Sequence, residues 1–112
     1  MKIKIKEDHW LPHLFMVAGI TIYPYIFLAD KKEDVLVNHE MIHIEQFKEC
    51  GWFSFVWCYF RYYFKYYLEC KELDEAYYQI PFEREAYDNA DNLNYLKERK
   101  PFAWKKYVEK VG

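Results

Sequence analysis

Residues 38–43 read Asn38-His39-Glu40-Met41-Ile42-His43. On an α-helix, positions i and i+4 lie on one face, one turn apart. His39 and His43 can therefore both turn an imidazole toward one metal ion. Glu40, one residue on, can reach a water held there. Two ligands and a general base on one helix point to a hydrolytic metal site, with one Zn2+ per chain as the expected cofactor. The competing reading is an amphipathic surface helix with two incidental histidines.

Working outward, the helix is expected over residues 35–49. Val35, Leu36, Ile42 and Phe47 give it an apolar side, and Glu45, Lys48 and Glu49 suit solvent. Asp34 is the expected N-cap and Gly51 the stop. Upstream, residues 14–29 carry no charge but fall short of the ~20 residues a membrane helix needs. Ile20, Ile22 and Ile26 favour a strand over 20–28, and Pro24 suggests a sheet edge, because proline cannot donate to a ladder. Such an edge could pair with an extended peptide. Residues 2–6 alternate Lys and Ile and predict a short strand. His9 and His13 share the i,i+4 spacing, but Pro12 between them argues against a helix and against a second metal pair. His13 is either a loop residue near the site entrance or a plain surface histidine.

Downstream, residues 52–68 form a helix that is aromatic almost all round. Ser54, Cys58, Arg61, Lys65, Glu69 and Glu72 fall on one narrow stripe that is expected to stay wet. The rest is expected mainly in the core. Any aromatic surface left over would make a docking face, for a homodimer or at a membrane surface. No Gly or Pro falls between Trp52 and Ile80, yet one helix that long would reach about 40 Å. A break within 69–80 is therefore expected. Pro81 opens a helix over 81–96. Glu83, Ala86, Tyr87, Ala90 and Leu93 share one face; Glu85, Asp88, Asn89 and Asn92 share a wholly polar one. A core-facing carboxylate needs a partner or a metal, so Glu83 is the expected third ligand. The alternative is an ion pair with Arg61 or Arg84. A last short helix is expected over 101–110, with Phe102, Trp104 and Val108 packing down.

Composition bounds the rest. The 112 residues suit one domain, 1–112, and an α+β arrangement that is mostly helical with a small N-terminal sheet. A net charge of −2 gives no basic surplus to draw in nucleic acid. Cys50, Cys58 and Cys70 match no disulfide framework or CxxC metal spacing. The alternating N-terminus lacks the apolar stretch of a signal peptide. A cytoplasmic location is expected, with at most peripheral membrane contact.

The chain resembles the gluzincins, metallopeptidases that carry HExxH on one helix and a glutamate ligand on the next. Glu83-Arg84-Glu85-Ala86-Tyr87 is similar to the Glu-x-x-Ala-Asp segment of CAAX prenyl proteases and their relatives, in which the first Glu is the ligand. This resemblance implies Glu83 as ligand, and Tyr87 where an Asp would orient a ligand histidine. In the thermolysin-like version Glu is followed directly by Ala, which would select Glu85; helix periodicity favours Glu83. Glu45 is a further departure, since zincin helices usually carry an apolar residue there. The resemblance covers residues 36–47 and 81–90, and the chain's length is similar to the minigluzincins. It implies a zinc-dependent metallopeptidase acting on a peptide or protein substrate, with Glu40 as general base. It also implies that the strand before the active helix holds the substrate. Tyr77, Tyr78 and His13 are candidates to stabilise an oxyanion. The alternatives are a non-catalytic zinc protein whose metal ties two helices together, or a membrane-interface module built on the aromatic helix.

Overall fold

The computed structural model describes residues 2–108. The order is β1 (Lys4–Lys6), α1 (Trp10–Leu14), β2 (Gly19–Ile22), β3 (Tyr25–Leu28), α2 (Asp34–Cys50), α3 (Trp52–Cys70), α4 (Leu73–Gln79), α5 (Pro81–Asn89), α6 (Tyr95–Glu98) and a 3-10 helix (Ala103–Tyr107). The architecture is α+β, as the sequence suggests.

The expected strand over 20–28 divides in two. Pro24 falls in the tight turn between β2 and β3, so neither ladder has to accommodate it. The sheet order is β1-β3-β2, with β1 parallel and β2 antiparallel to β3. Thus β3 is central, with Ile26 and Leu28 fully buried, and β2 lies at an edge. The segment around Pro12 is a helix rather than a loop. Pro12 stands in the first turn of α1, where a backbone N–H has no helical partner to lose. His9 caps this helix, accepting from the Leu11 N–H at 3.2 Å.

α2 is capped by Glu33, not Asp34. The Glu33 carboxylate accepts from the Val35 and Leu36 N–H groups at 3.1 and 3.0 Å. Gly51, at φ 83°, ends α2 in a conformation that only glycine adopts without strain. The break between α3 and α4 falls at Lys71 and Glu72. α5 stops at Asn89 rather than continuing to 96. Asn38 of α2 donates its Nδ2 hydrogens to the carbonyls of Ala90, Asn92 and Asn89 at 2.7, 3.0 and 3.3 Å, and the chain turns back through α6. The expected C-terminal helix is the 3-10 segment, and Pro101 lies in the turn before it; residues 109 and 110 lie outside the described residues. Trp104 packs into the core, while Phe102 stays exposed.

α2 is shared by two apolar clusters. Phe47 joins Phe55, Ile80, Phe82 and Trp104. Ile44 joins Ile26 and Leu28 under the sheet. Burying a side chain such as Phe82 contributes about 1.5–3 kcal/mol. The expectation for α3 is corrected: it buries only Phe55 and Tyr66, and the core does not enclose it. α2 and α4 pack against it, and among the described residues no further layer lies over its outer side.

Candidate metal centre

The i,i+4 spacing on α2 works as the sequence suggests. His39 and His43 both turn inward and are almost fully buried. α5 crosses that face and brings Glu83 between them. The Nε2 atoms of His39 and His43 lie 3.2 and 3.0 Å from Glu83 Oε1. A ligand atom from each of the three residues lies within 4.8 Å of the other two, so the group could hold a metal ion.

The donor set tests well against that idea. A tetrahedral ion with bonds near 2.0–2.1 Å has ligand atoms about 3.3 Å apart, close to the separations from Glu83 Oε1. The surrounding groups leave the right atoms free. His43 Nδ1 donates to Gln46 Oε1 at 2.7 Å, which turns Nε2 toward the site. Gln46 is itself fixed, because its Nε2 donates to Phe82 O at 3.1 Å and Glu85 Oε1 at 3.0 Å. The Tyr59 hydroxyl donates to Glu83 Oε2 at 2.7 Å and leaves Oε1 for an ion. Among the described residues no Lys or Arg pairs with Glu83. Arg84, weighed as a partner, donates to Tyr107 O instead.

Glu40 sits beside the triad. Its Oε1 accepts from Thr21 Oγ1 at 2.8 Å, and Oε2 lies 3.9 Å from His39 Nε2. Gly19 makes this packing possible. A Cβ there would stand 3.2 Å from Glu40 Oε2. Edge strand β2 thus runs directly past the Glu40 carboxylate.

Burial and charge shape the protonation states. Burial alone would raise the Glu83 carboxyl, but the two imidazoles outweigh it and hold it well below the usual carboxylate range. Burial would lower His43, yet Glu83 outweighs that and pushes it up to about 9. Burial raises Glu40, opposed by His43 and His39. Burial and the nearby Glu83 carboxylate both raise the Tyr59 hydroxyl.

The remaining sequence candidates scatter. Tyr77, Tyr78 and Tyr87 line the same cleft as His39, Glu40 and Glu83, a hollow of about 1390 Å3. The Tyr87 ring meets the His39 ring edge-on at 4.4 Å between centroids, while its hydroxyl lies 3.3 Å from that of Tyr77. It therefore packs against the His39 ring rather than accepting a hydrogen bond from it. His13 is not part of this group: its Nε2 lies 3.0 Å from Ala29 O, outside the cleft lining. Glu85, placed by periodicity on a polar face, is fully buried and carries a separate ion network.

Thr21, Gln46 and Tyr59 escaped the sequence reading. Gln46, one turn after His43 on α2, was within reach of helix spacing. Thr21 and Tyr59 come from other elements, and no local pattern marks them.

No protein-family model, curated protein or solved structure matches this chain.

Proposed function

We propose that the chain is a zinc metallopeptidase. The observation that carries this reading is the convergence of His39, His43 and Glu83 at the floor of a cleft, with the Glu40 carboxylate beside them. Two neutral nitrogens and one carboxylate suit zinc, and three protein ligands leave a fourth position open. Bound there, zinc supplies a Lewis acid and water of lowered pKa.

The chain's own residues do the rest. Glu40, held by Thr21, takes the proton from the attacking water and later gives it to the leaving amine. Its raised affinity for a proton suits both halves of that task. β2 pairs with β3 along one edge, and its other edge borders the cleft. An extended peptide could add there as a further strand, running past Gly19 and Thr21 and across Glu40. Tyr77 and Tyr78 stand in the cleft as hydroxyl donors for a developing oxyanion.

The test is metal content together with hydrolysis of a peptide library. The protein is expected to hold about one zinc per molecule. Glu40→Gln should keep the zinc and lose turnover by about 10²–10⁴-fold. Loss of zinc in that variant, or zinc-loaded wild type with no turnover on any library member, would sink the peptidase reading.

A further inference from the structure

The outer side of α3 carries a row of apolar side chains that nothing among the described residues covers. Phe53, Trp57, Phe60, Phe64 and Leu68 are 49–83% exposed. They follow one another at intervals of four, three, four and four residues, which is one side of a helix. At 1.5 Å per residue the row is about 22 Å long. Phe15 and the 92% exposed Met16 add a second apolar projection. Phe15, Met16 and Phe60 all line the same cleft, so the apolar surface forms part of its rim. Monomeric proteins seldom leave so much contiguous apolar surface bare.

Charge selects the occupant. From Trp52 to Leu68, α3 carries no Asp or Glu, in a chain whose net charge is −2. Its only charges there are Arg61, exposed beside Phe60 and Phe64, and Lys65. The Lys65 ammonium sits 4.4 Å from the centre of the Tyr66 ring and 3.7 Å from Glu69. The acidic residues Glu69, Glu72, Asp74 and Glu75 begin only beyond the last apolar position. A second copy meeting this face about a two-fold axis would align the two rows antiparallel. The centre of the row falls at Phe60 and Arg61, so Arg61 would face Arg61 with the Lys65 side chains nearby, and like charges repel. A bilayer with anionic headgroups accepts both halves of the pattern: the rings enter the acyl boundary, and the cations meet phosphates and carboxylates. No described helix is long and apolar enough to cross a membrane, so this one would lie on the surface.

We propose that the outer face of α3, joined by Phe15 and Met16, docks on an anionic lipid surface and turns the rim of the cleft toward it. This docking does not require the metal chemistry, so its test reads lipid binding alone. The full-length chain is sedimented with vesicles of phosphatidylcholine, and with vesicles of phosphatidylcholine plus phosphatidylserine. Wild type should bind the mixed vesicles at least about tenfold better, with affinity falling as salt rises. Trp57→Ser/Phe60→Ser/Phe64→Ser should lower binding to both by at least about tenfold. Arg61→Glu/Lys65→Glu should abolish the preference for phosphatidylserine, and it keeps the test open if the triple variant misfolds. Three results overturn the proposal: wild type that stays in the supernatant with both vesicles, a charge-reversal variant with its preference intact, or a folded triple variant that binds like wild type. A dimer in sedimentation velocity, abolished by Phe60→Ser and found without lipid binding, would assign the face to a second copy instead.

Discussion

Glu83 and Glu85 stand two residues apart on α5, 4% and 0% exposed, and the fold treats them in opposite ways. Glu85 is met by a fixed cation. Arg99 donates to both of its oxygens, at 2.6 and 3.1 Å, and Tyr95 and Gln46 supply further donors at 2.7 and 3.0 Å. The same guanidinium grips Glu49 through two more bonds. Among the described residues Glu83 has no such partner. Its counter-charge is whatever the two imidazoles carry. A buried carboxylate needs compensation. For Glu85 that compensation is permanent; for Glu83 it can be exchanged, since an imidazolium proton can give way to a metal ion. Gln46 links the halves, one end on Glu85 and the other on His43.

The contrast can be broken most forcefully at Arg99. Arg99→Met would leave two carboxylates without their cation, and a loss of about 3–5 kcal/mol is expected in denaturant unfolding. Metal affinity measured well below the transition should change far less. The reverse pattern would show that the two halves are not separate. Next comes the direct exchange: Glu83→Gln should weaken zinc by more than about a hundredfold, and Glu85→Gln by less than about tenfold. If Glu85→Gln strips the metal while Glu83→Gln keeps it, the assignment of roles is wrong. Smaller again is Tyr59→Phe, which removes the donor on Glu83 Oε2. It should cost about tenfold in metal affinity and leave the unfolding midpoint nearly unchanged.

The subtlest difference is in pH. Both carboxyls are lowered by folding. Each therefore stabilises the protein above the ordinary carboxylate range, and that stabilisation is lost as pH falls through the folded value. His43 is raised, from 6.5 to about 9. Its contribution is complete below about pH 6.5 and lost as pH rises through about 9. Between about pH 6.5 and 9, metal-free protein should therefore weaken through His43 in the Glu83 half; Cys50 and Tyr95, also raised by folding, add to the loss only at higher pH. Thermal unfolding of chelator-treated samples between about pH 6 and 10 would show this as a falling midpoint. In Glu83→Gln the fall should shrink; an equal fall in both proteins would contradict the account.

Much of this site is local, and local features are what a sequence displays. His39, Glu40 and His43 share one helix, so their spacing alone places them. Glu83 followed from periodicity on a second helix, helped by the small Ala86 and Ala90. Glu85 was misplaced for a physical reason. Its polar helix face appears solvated only while α5 is taken to continue to 96. The chain instead turns at Ala90, and Tyr95 and Arg99 return to bury it. That reversal depends on Asn38, fifty-two residues from Ala90 in sequence. The same limit hid Tyr59 and Thr21. For α3, composition displayed an apolar helix but not the supply of partners, and the described elements do not enclose it. At Pro24 the local rule was sound, but its consequence was a turn between two strands rather than one edge strand.

Asn38 also braces the candidate site. Its amide, bonded to three carbonyls just past the end of α5, clamps the helix bearing Glu83 to the helix bearing both histidines. The clamp holds the two helices that carry His39, His43 and Glu83 against each other. A metal ion bound there would meet helices already tied by protein hydrogen bonds, in contrast to small domains that collapse around their ion.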